Sequence, residues 1–434
     1  MTVDRAAAHR MIDAVWRIES ARIIAGLARL VRDVGLAEEL AQDALVAALE
    51  QWPAQGIPAR PGAWLMLTAK HRAIDRIRRD ERLAGKLNML GRELEAARQD
   101  ASAEFVAVLD DLDDERIDDD LLRLMFISCH PVLSTEAQVA LTLRLLGGLS
   151  TGEIARAFLV PESTIAQRIV RAKRTLTEAH VPFEVPRGAE LAARLSSVLE
   201  VIYLIFNEGY SATSGDNWIR TELCEDALRL GRILAECLSQ ESEAHGLVAL
   251  MEIQSSRSRA RVGPTGEPIL LLDQNRAQWD QLLIHRGLAA LQRAGQLGGG
   301  LGPYGIQAAI AACHARAVTA DDTEWTRIVA LYDALAQLTP SPIVELNRAV
   351  AVAMAFGPQA GLELVDALNA EPSLKNYHLL PSVRGDLLTK LGRFGEARAE
   401  FEIAAALTRN ARERKLLLER ARACEAPPPR NDGS

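Results

Sequence analysis

Cysteine is scarce in this chain of 434 residues, and the five present, Cys129, Cys224, Cys237, Cys313 and Cys424, include no CxxC pair. Such spacing gives neither a disulfide framework nor a zinc-ligand set, so these thiols are expected to act as small buried apolar side chains in a reducing compartment. The adjacent Cys129 and His130 do not alter this, because neighbouring helix residues diverge and no second ligand pair accompanies them. No apolar run approaches the roughly 18 residues of a membrane span. The amino terminus, MTVDRAAAHRM, lacks the apolar core of a signal peptide, which predicts a cytoplasmic protein without a membrane partner. A glycine-rich phosphate loop, a nucleophile–base spacing and a metal cluster are also missing. No catalytic residue, cofactor or metal is therefore expected, and the protein is not read as an enzyme.

The formal net charge of −8 argues, taken alone, against a nucleic-acid partner. Its distribution argues otherwise. Arg60 to Lys86 carries a net +5, whereas Glu93 to Asp120 carries −10. Screening confines a local field to about 8–10 Å, so a basic stretch can bind phosphate on an acidic chain.

The clearest local signal is Leu149 to Leu176, LSTGEIARAFLVPESTIAQRIVRAKRTL. Ser150 or Thr151 can cap a first helix, with Glu153 placed to complete a capping box. Ile154, Ala155 and Phe158 form its inner face. A second helix starts near Pro161, a residue suited to a first helical turn. Ile165, Ile169, Ala172 and Leu176 follow the spacing of one buried stripe. The opposite face carries Ser163, Gln167, Arg171 and Arg174, flanked by Thr164 and Arg168. Arginine forks and a carboxamide on the outside of a second helix suit reading of the major groove, and the pattern predicts a DNA-binding helix-turn-helix.

Upstream, residues 10 to 51 read as amphipathic helices, with Ile12, Trp16, Ile23 and Leu27 on one stripe and Leu36, Leu40, Ala44, Leu45 and Leu49 on another. Glu38, Glu39, Gln42, Asp43 and Glu50 are expected outside. Pro53, Gly56, Pro58, Pro61 and Gly62 then impose a shaped loop. The next helix is expected to hold Met66, Leu67, Ala73, Ile74 and Ile77 inside, with Trp64, Thr68, His71, Arg72, Asp75 and Arg79 opposite. An aromatic among basic residues suits opened DNA, where bases stack while arginines hold phosphates.

Three segments, AEELAQDALVAALEQW (Ala37–Trp52), AWLMLTAKHRAIDRIRR (Ala63–Arg79) and the helix-turn-helix, occur in an order and spacing that resembles bacterial RNA polymerase sigma factors of the extracytoplasmic-function (ECF) type. The resemblance covers about residues 10 to 177. It implies that Glu38, Glu39, Leu40, Gln42, Asp43 and Leu45 dock on the clamp of the polymerase β′ subunit. It implies that Trp64, Lys70, His71, Arg72, Asp75, Arg76, Arg78 and Arg79 lie in the helix that reads and opens the minus-10 element, and that the Pro53–Gly62 loop holds a flipped base. The second helix of the helix-turn-helix falls on the minus-35 reader, with Ala166 and Gln167 where the family often has Ser and Lys. Core polymerase (β′ and β) and promoter DNA are the implied partners, and association with the nucleoid would follow holoenzyme formation.

Between these domains, the acidic block Asp110–Asp120 is expected to repel itself and remain a solvated tether; the resemblance offers a second role, threading the polymerase cleft as a mimic of RNA phosphates. Beyond Pro182 a strong stripe (Leu191, Leu195, Val198, Leu199, Ile202, Ile205) ends at Phe206–Asp216, read as a left-handed helix cap at Asn207 and Gly209 or, less simply, a small-molecule or peptide pocket. Arg257, Arg259 and Arg261 read as a solvated helix end, with DNA or polymerase contact as the alternative. Ser341–Leu374 and His378–Ala411 repeat with a shift of 37 residues, and Gly385, Leu388, Gly392, Phe394, Ala397, Phe401 and Ala404 resemble a tetratricopeptide repeat.

The expected fold is all-α: a region 2 domain over 1–82, an acidic linker over 83–120, a region 4 helix-turn-helix domain over 121–182, a tetratricopeptide-like domain over 183–425 and a disordered tail over 426–434. The expected function is promoter-specific initiation with a fused regulatory domain that has an intramolecular, protein or peptide partner. A stand-alone helix-turn-helix regulator with peptide-binding repeats is the alternative. An enzyme housed around Asn207, Glu208, Asp216 and His245 is the reading with least support.

Overall fold

The structure, a computed structural model, describes residues 5–88, 114–212, 214–215 and 219–425. Those residues are all-α, with eighteen α-helices and one two-residue parallel pairing, β1 (Ser214–Gly215) with β2 (Arg409–Asn410). The chain divides into two compact units, Met1–Ile202 and Tyr203–Ser434.

The first unit holds α1 (Arg5–Val31), α2 (Val34–Gln55), α3 (Pro61–Asn88), α4 (Asp114–Ser128), α5 (Thr135–Leu145), α6 (Thr151–Phe158), α7 (Glu162–Glu178) and the start of α8 (Ala189–Tyr210). Asp33 breaks the chain between α1 and α2 and caps α2, its Oδ1 accepting from Leu36 N at 2.8 Å. Ile12, Ile23 and Leu27 are buried as the stripe requires. In α3 the stripe is rotated from expectation: Leu65 and Ala69 are buried, whereas Leu67 is 54% exposed. The indole of Trp64 meets Trp52 edge to face at 5.3 Å, so α3 is anchored to α2 through that ring pair.

Two sequence expectations are corrected here. The acidic block is not solvated at its end: α4 begins at Asp114, and although Asp118 and Asp119 are exposed, Asp120 is buried between Arg29 (3.1 Å) and Arg123 (2.7 Å). Burial raises its carboxyl pKa even though both guanidiniums pull it down. The rest of the linker, and the tail from Ala426, lie outside the described residues. Asn207 and Gly209 do not cap a helix either; they lie inside α8, which runs on to Tyr210. Gly209 serves close approach instead, since a Cβ there would stand 2.7 Å from Cys224 N.

The second unit continues with α9 (Thr221–Cys237), α10 (Ser242–Ser255), α11 (Gln281–Gln296), α12 (Pro303–Arg316), α13 (Trp325–Leu338), α14 (Pro342–Phe356), α15 (Pro358–Leu368), α16 (Leu379–Lys390), α17 (Phe394–Leu407) and α18 (Ala411–Ala423). Short 3₁₀ turns, Ser258–Arg261 and Arg276–Gln278, join α10 to α11. The last five helices share one core that includes Ala349, Val365, Leu388, Ala397 and Phe401. Burial sets the repeat register at 36 residues rather than 37. Gly361 and Val365 are buried as Ala397 and Phe401 are, while Ala360 is half-buried and Ala367 exposed. In both pairs a small residue lets the helices touch: a Cβ on Gly361 would lie 2.4 Å from Ala353 Cβ, and one on Gly385 would lie 2.9 Å from the Phe401 ring.

Candidate nucleic-acid interface

The pair α6 and α7, with the turn between them, is built by local rules that its sequence states openly. Ser150 Oγ accepts from Glu153 N at 3.2 Å, and Glu153 Oε2 accepts from Ser150 N at 2.8 Å, completing the capping box of α6. Burial opposes ionisation of Glu153, but these Ser150 bonds and Arg17, 2.7 Å away, outweigh it and hold the carboxyl below its usual range. Leu159 turns the chain in the left-handed region at φ 50°, and Pro161 caps α7. Ile165, Ile169, Ala172 and Leu176 are buried. That burial fixes the outer face: Ser163, Gln167, Arg171 and Arg174 are exposed, with Thr164 and Arg168 half-buried beside them. Arg174 is tied to Glu178 at 2.6 Å, which leaves Arg171 and Gln167 at the centre of the face.

On α3, His71, Asp75, Arg76, Arg78 and Arg79 are exposed, and Trp64 and Arg72 are half-buried. Arg72 reaches Asp43 at 3.5 Å. Lys70 is different: it is 9% exposed and faces the helix packing rather than the basic surface.

The expected polymerase-docking residues of α2 are split in the same way. Glu39 and Asp43 are exposed, Gln42 and Leu45 half-buried and Leu40 buried. Glu38, expected outside, is 2% exposed. Its Oε1 accepts from Arg144 Nε at 2.6 Å and from Gln42 Nε2, while Lys173 Nζ pairs with Oε2. Arg144 comes from α5 and Lys173 from α7, so the carboxylate of α2 is clamped by one cation from each of those helices. Thr177 Oγ1 donates to Asp33 Oδ2 at 3.1 Å beside it. A cleft of about 730 Å³ opens next to this cluster, lined by Arg32, Asp33, Lys173, Thr177 and His180 among others. Arg144 and Lys173 carried no sequence signal, because their partner lies more than a hundred residues away. Among the described residues no group of three or more His, Cys, Asp or Glu side chains is placed to hold a metal, and no helix is long and apolar enough to cross a membrane.

Comparison with known proteins bears on this arrangement. The model of sigma-70 region 2 matches residues 18–83, and that of sigma-70 region 4 matches residues 123–176. A family of unknown function (DUF6596) matches residues 194–295. An uncharacterized protein of Rhizobium meliloti (strain 1021) is 43% identical over 408 residues, which cover 93% of this chain and 94% of that protein. The chain belongs to that protein's family. The ECF RNA polymerase sigma factor SigK of Mycobacterium ulcerans (strain Agy99) is 29% identical over 159 residues, 36% of this chain and 78% of its own length. No solved structure matches. Regions 2 and 4 together support a sigma-factor role, which implies contact with core RNA polymerase and promoter DNA. The α3 basic surface and the α7 outer face both fall within the matched regions.

Proposed function

We propose that this protein is a sigma factor of the extracytoplasmic-function type that acts in the cytoplasm, directs core polymerase to a subset of promoters and carries its own helical regulatory domain. The outer face of α7 carries the reading: a capped helix followed by a tight turn presents Gln167 and Arg171 exposed. Gln pairs bidentately with adenine and Arg with guanine, so these two side chains give α7 its minus-35 readout, with Ser163, Thr164, Arg168 and Arg174 positioning the helix on phosphates. The exposed residues of α3, with Trp64 at its start, hold the opened minus-10 strand. Glu39, Asp43 and Leu45 present α2 to the β′ clamp, and Glu38 joins them only when its ion pairs with Arg144 and Lys173 open. The 36-residue helix pairs of the second unit form a tetratricopeptide-like surface for an intramolecular or peptide partner.

The test is run-off transcription by the full chain with purified core polymerase on promoters obtained by binding-site selection. Initiation that depends on Arg171 supports the reading. Failure of the folded chain to bind core polymerase overturns it. A stand-alone helix-turn-helix regulator is the second reading, favoured by the burial of Glu38, and it predicts DNA binding that is indifferent to core polymerase.

A further inference from the structure

In the second unit the arginines expected at a solvated helix end have seats in the fold. Only Arg259 is exposed; Arg261, 6% exposed, lies 3.5 Å over the Tyr210 ring, and Arg257 donates to Tyr210 Oη at 2.7 Å. The first unit is different, because cations there line the cleft of about 730 Å³ next to Glu38. One wall of that cleft is the junction of α1 and α2, and the other is the end of α7 with the segment that follows as far as Glu184. Part of the lining is apolar: Val34, Ile127 and Leu176 are buried and Phe183 is half-buried.

The charged part carries more positive than negative charge. Arg29 pairs with Asp120 and Lys173 with Glu38, but each of those carboxylates is also matched by a cation from outside the lining, Arg123 at 2.7 Å and Arg144 at 2.6 Å. Asp33 has both oxygens engaged, Oδ1 by Leu36 N and Oδ2 by Thr177 Oγ1. Among the described residues, the side chains of Arg32 and His180, both exposed in this cleft, make no ion pair or hydrogen bond. Backbone conformation singles out the same two residues. Arg32 (φ 53°) follows α1 and His180 (φ 49°) follows α7, and with Leu159 they are the three non-glycine residues in the left-handed region among those described. Helices commonly end on glycine in that region, because a Cβ there crowds the next carbonyl. Two positions where glycine is easier thus hold side chains with N–H donors, and both line one cleft.

We propose that this cleft binds a small amphipathic organic anion, with its negative group on Arg32 and His180 and its apolar body against Leu176 and Phe183. A guanidinium fork and a ring N–H direct donors at an acid group, Arg29 and Lys173 add to the field, and small-molecule sites fall in the range of about 300–1,000 Å³. Bound there, the anion joins the α1–α2 junction to the end of α7 beside the ion pairs that hold Glu38 in, so occupancy opposes docking on core polymerase. That consequence rests on the polymerase reading; the site itself does not.

Isothermal titration of the full chain with 2-naphthoate, its neutral analogue 2-naphthamide and acetate at matched ionic strength tests the site. Saturable binding of naphthoate is expected, with the neutral ring and the bare acid each at least about tenfold weaker. Arg32→Gly and His180→Gly relieve the left-handed backbone, so each should melt no lower than the parent and yet bind naphthoate at least about fivefold more weakly. Arg32→Gln keeps the backbone strain, removes the charge and should lose as much. Arg398→Gln, on the exposed Arg398–Glu402 pair, should leave binding unchanged. Three results overturn the proposal: no saturable binding of naphthoate, equal binding of naphthamide, or binding indifferent to Arg32→Gln and His180→Gly. Saturating naphthoate should also weaken core polymerase binding by the parent several-fold and leave Arg32→Gly unaffected. A parent that binds core equally well with and without naphthoate overturns the consequence for docking, whereas a parent that binds naphthoate and never core overturns the polymerase reading alone.

Discussion

Two clusters of buried charge, one in each unit, are solved in opposite ways. In the first unit Glu38 lies at the centre and Arg144 and Lys173 close on it, so the cluster contains its own counter-ions. In the second, Arg257, Arg261 and Arg276 gather on Tyr210 and Trp279, and Arg257 and Arg276 donate to carbonyls and hydroxyls. The first cluster is complete within the chain and acts as a fastening. The second is seated on aromatic rings and holds its arginines by cation–π contact and by carbonyl acceptors. A count of basic residues in the sequence rates the two alike; burial and partner type separate them.

The strongest way to break the comparison is to remove the centre of the first cluster. Glu38→Gln leaves Arg144 and Lys173 without an anion and should destabilise the first unit by about 3 kcal/mol, the cost of stripping one partner from a buried ion pair. Chemical denaturation followed by helix content measures it. A midpoint shift worth under about 0.5 kcal/mol would show that the cluster fastens nothing.

The second cluster has a pH signature. Burial first, then Arg257 and Arg276, push the His314 pKa down from 6.5 to about 4. Below pH 6.5 the unfolded chain binds a proton that the folded chain refuses, so stability is whole above that pH and falls as pH drops toward about 4. The loss is on the order of 2–3 kcal/mol across that window. His314→Gln should flatten this limb in thermal melts between pH 7 and 4. An identical acid limb in His314→Gln would place the proton elsewhere.

A third arginine setting sharpens the contrast. Arg171, exposed on α7, is expected to contribute nothing to folding, so Arg171→Ala should leave the melting temperature unchanged while weakening promoter binding by about 1–3 kcal/mol, or roughly 5- to 150-fold. Gel-shift titration against selected promoters reads the affinity. Equal loss on every sequence would reassign Arg171 to a phosphate contact.

How much of this was legible in the sequence depended on distance along the chain. The capping box of Ser150 and Glu153 and the buried stripe of α7 were legible because each is decided within a few residues. Glu38 was misplaced because its partners lie in α5 and α7; on α2 alone it looks like one more acid on a solvated face. In α3 the exposure of Leu67 depends on where α2 lies, a fact its own periodicity does not carry. The glycines showed a similar limit: Gly209 suggests a cap when read locally and proves to be a contact point for α9. The shift of 37 residues between Ser341–Leu374 and His378–Ala411 differs by one from the match of buried positions, because Ala360 and Gly361 are both small and only burial tells them apart. The arginine cluster was visible as letters and misread as solvated, since the rings that receive it, Tyr210 and Trp279, stand apart from it in sequence.

The smallest effect concerns the turn that aims α7. Leu159 holds φ 50° and ψ 44° and is 52% exposed, so it bears left-handed strain and gains little from packing. Leucine in that region costs about 1–2 kcal/mol relative to an unstrained backbone, and glycine avoids this while losing about 0.5–1 kcal/mol of extra unfolded-state freedom. Leu159→Gly should therefore stabilise the chain by about 0.5 kcal/mol, whereas Leu159→Ala, which keeps the strain, should not. Paired thermal melts of the two variants decide it. If glycine destabilises more than alanine, the backbone at 159 is not strained, and the angle between α6 and α7 is set by Pro161 and the buried pair Ile154 and Ile165 instead.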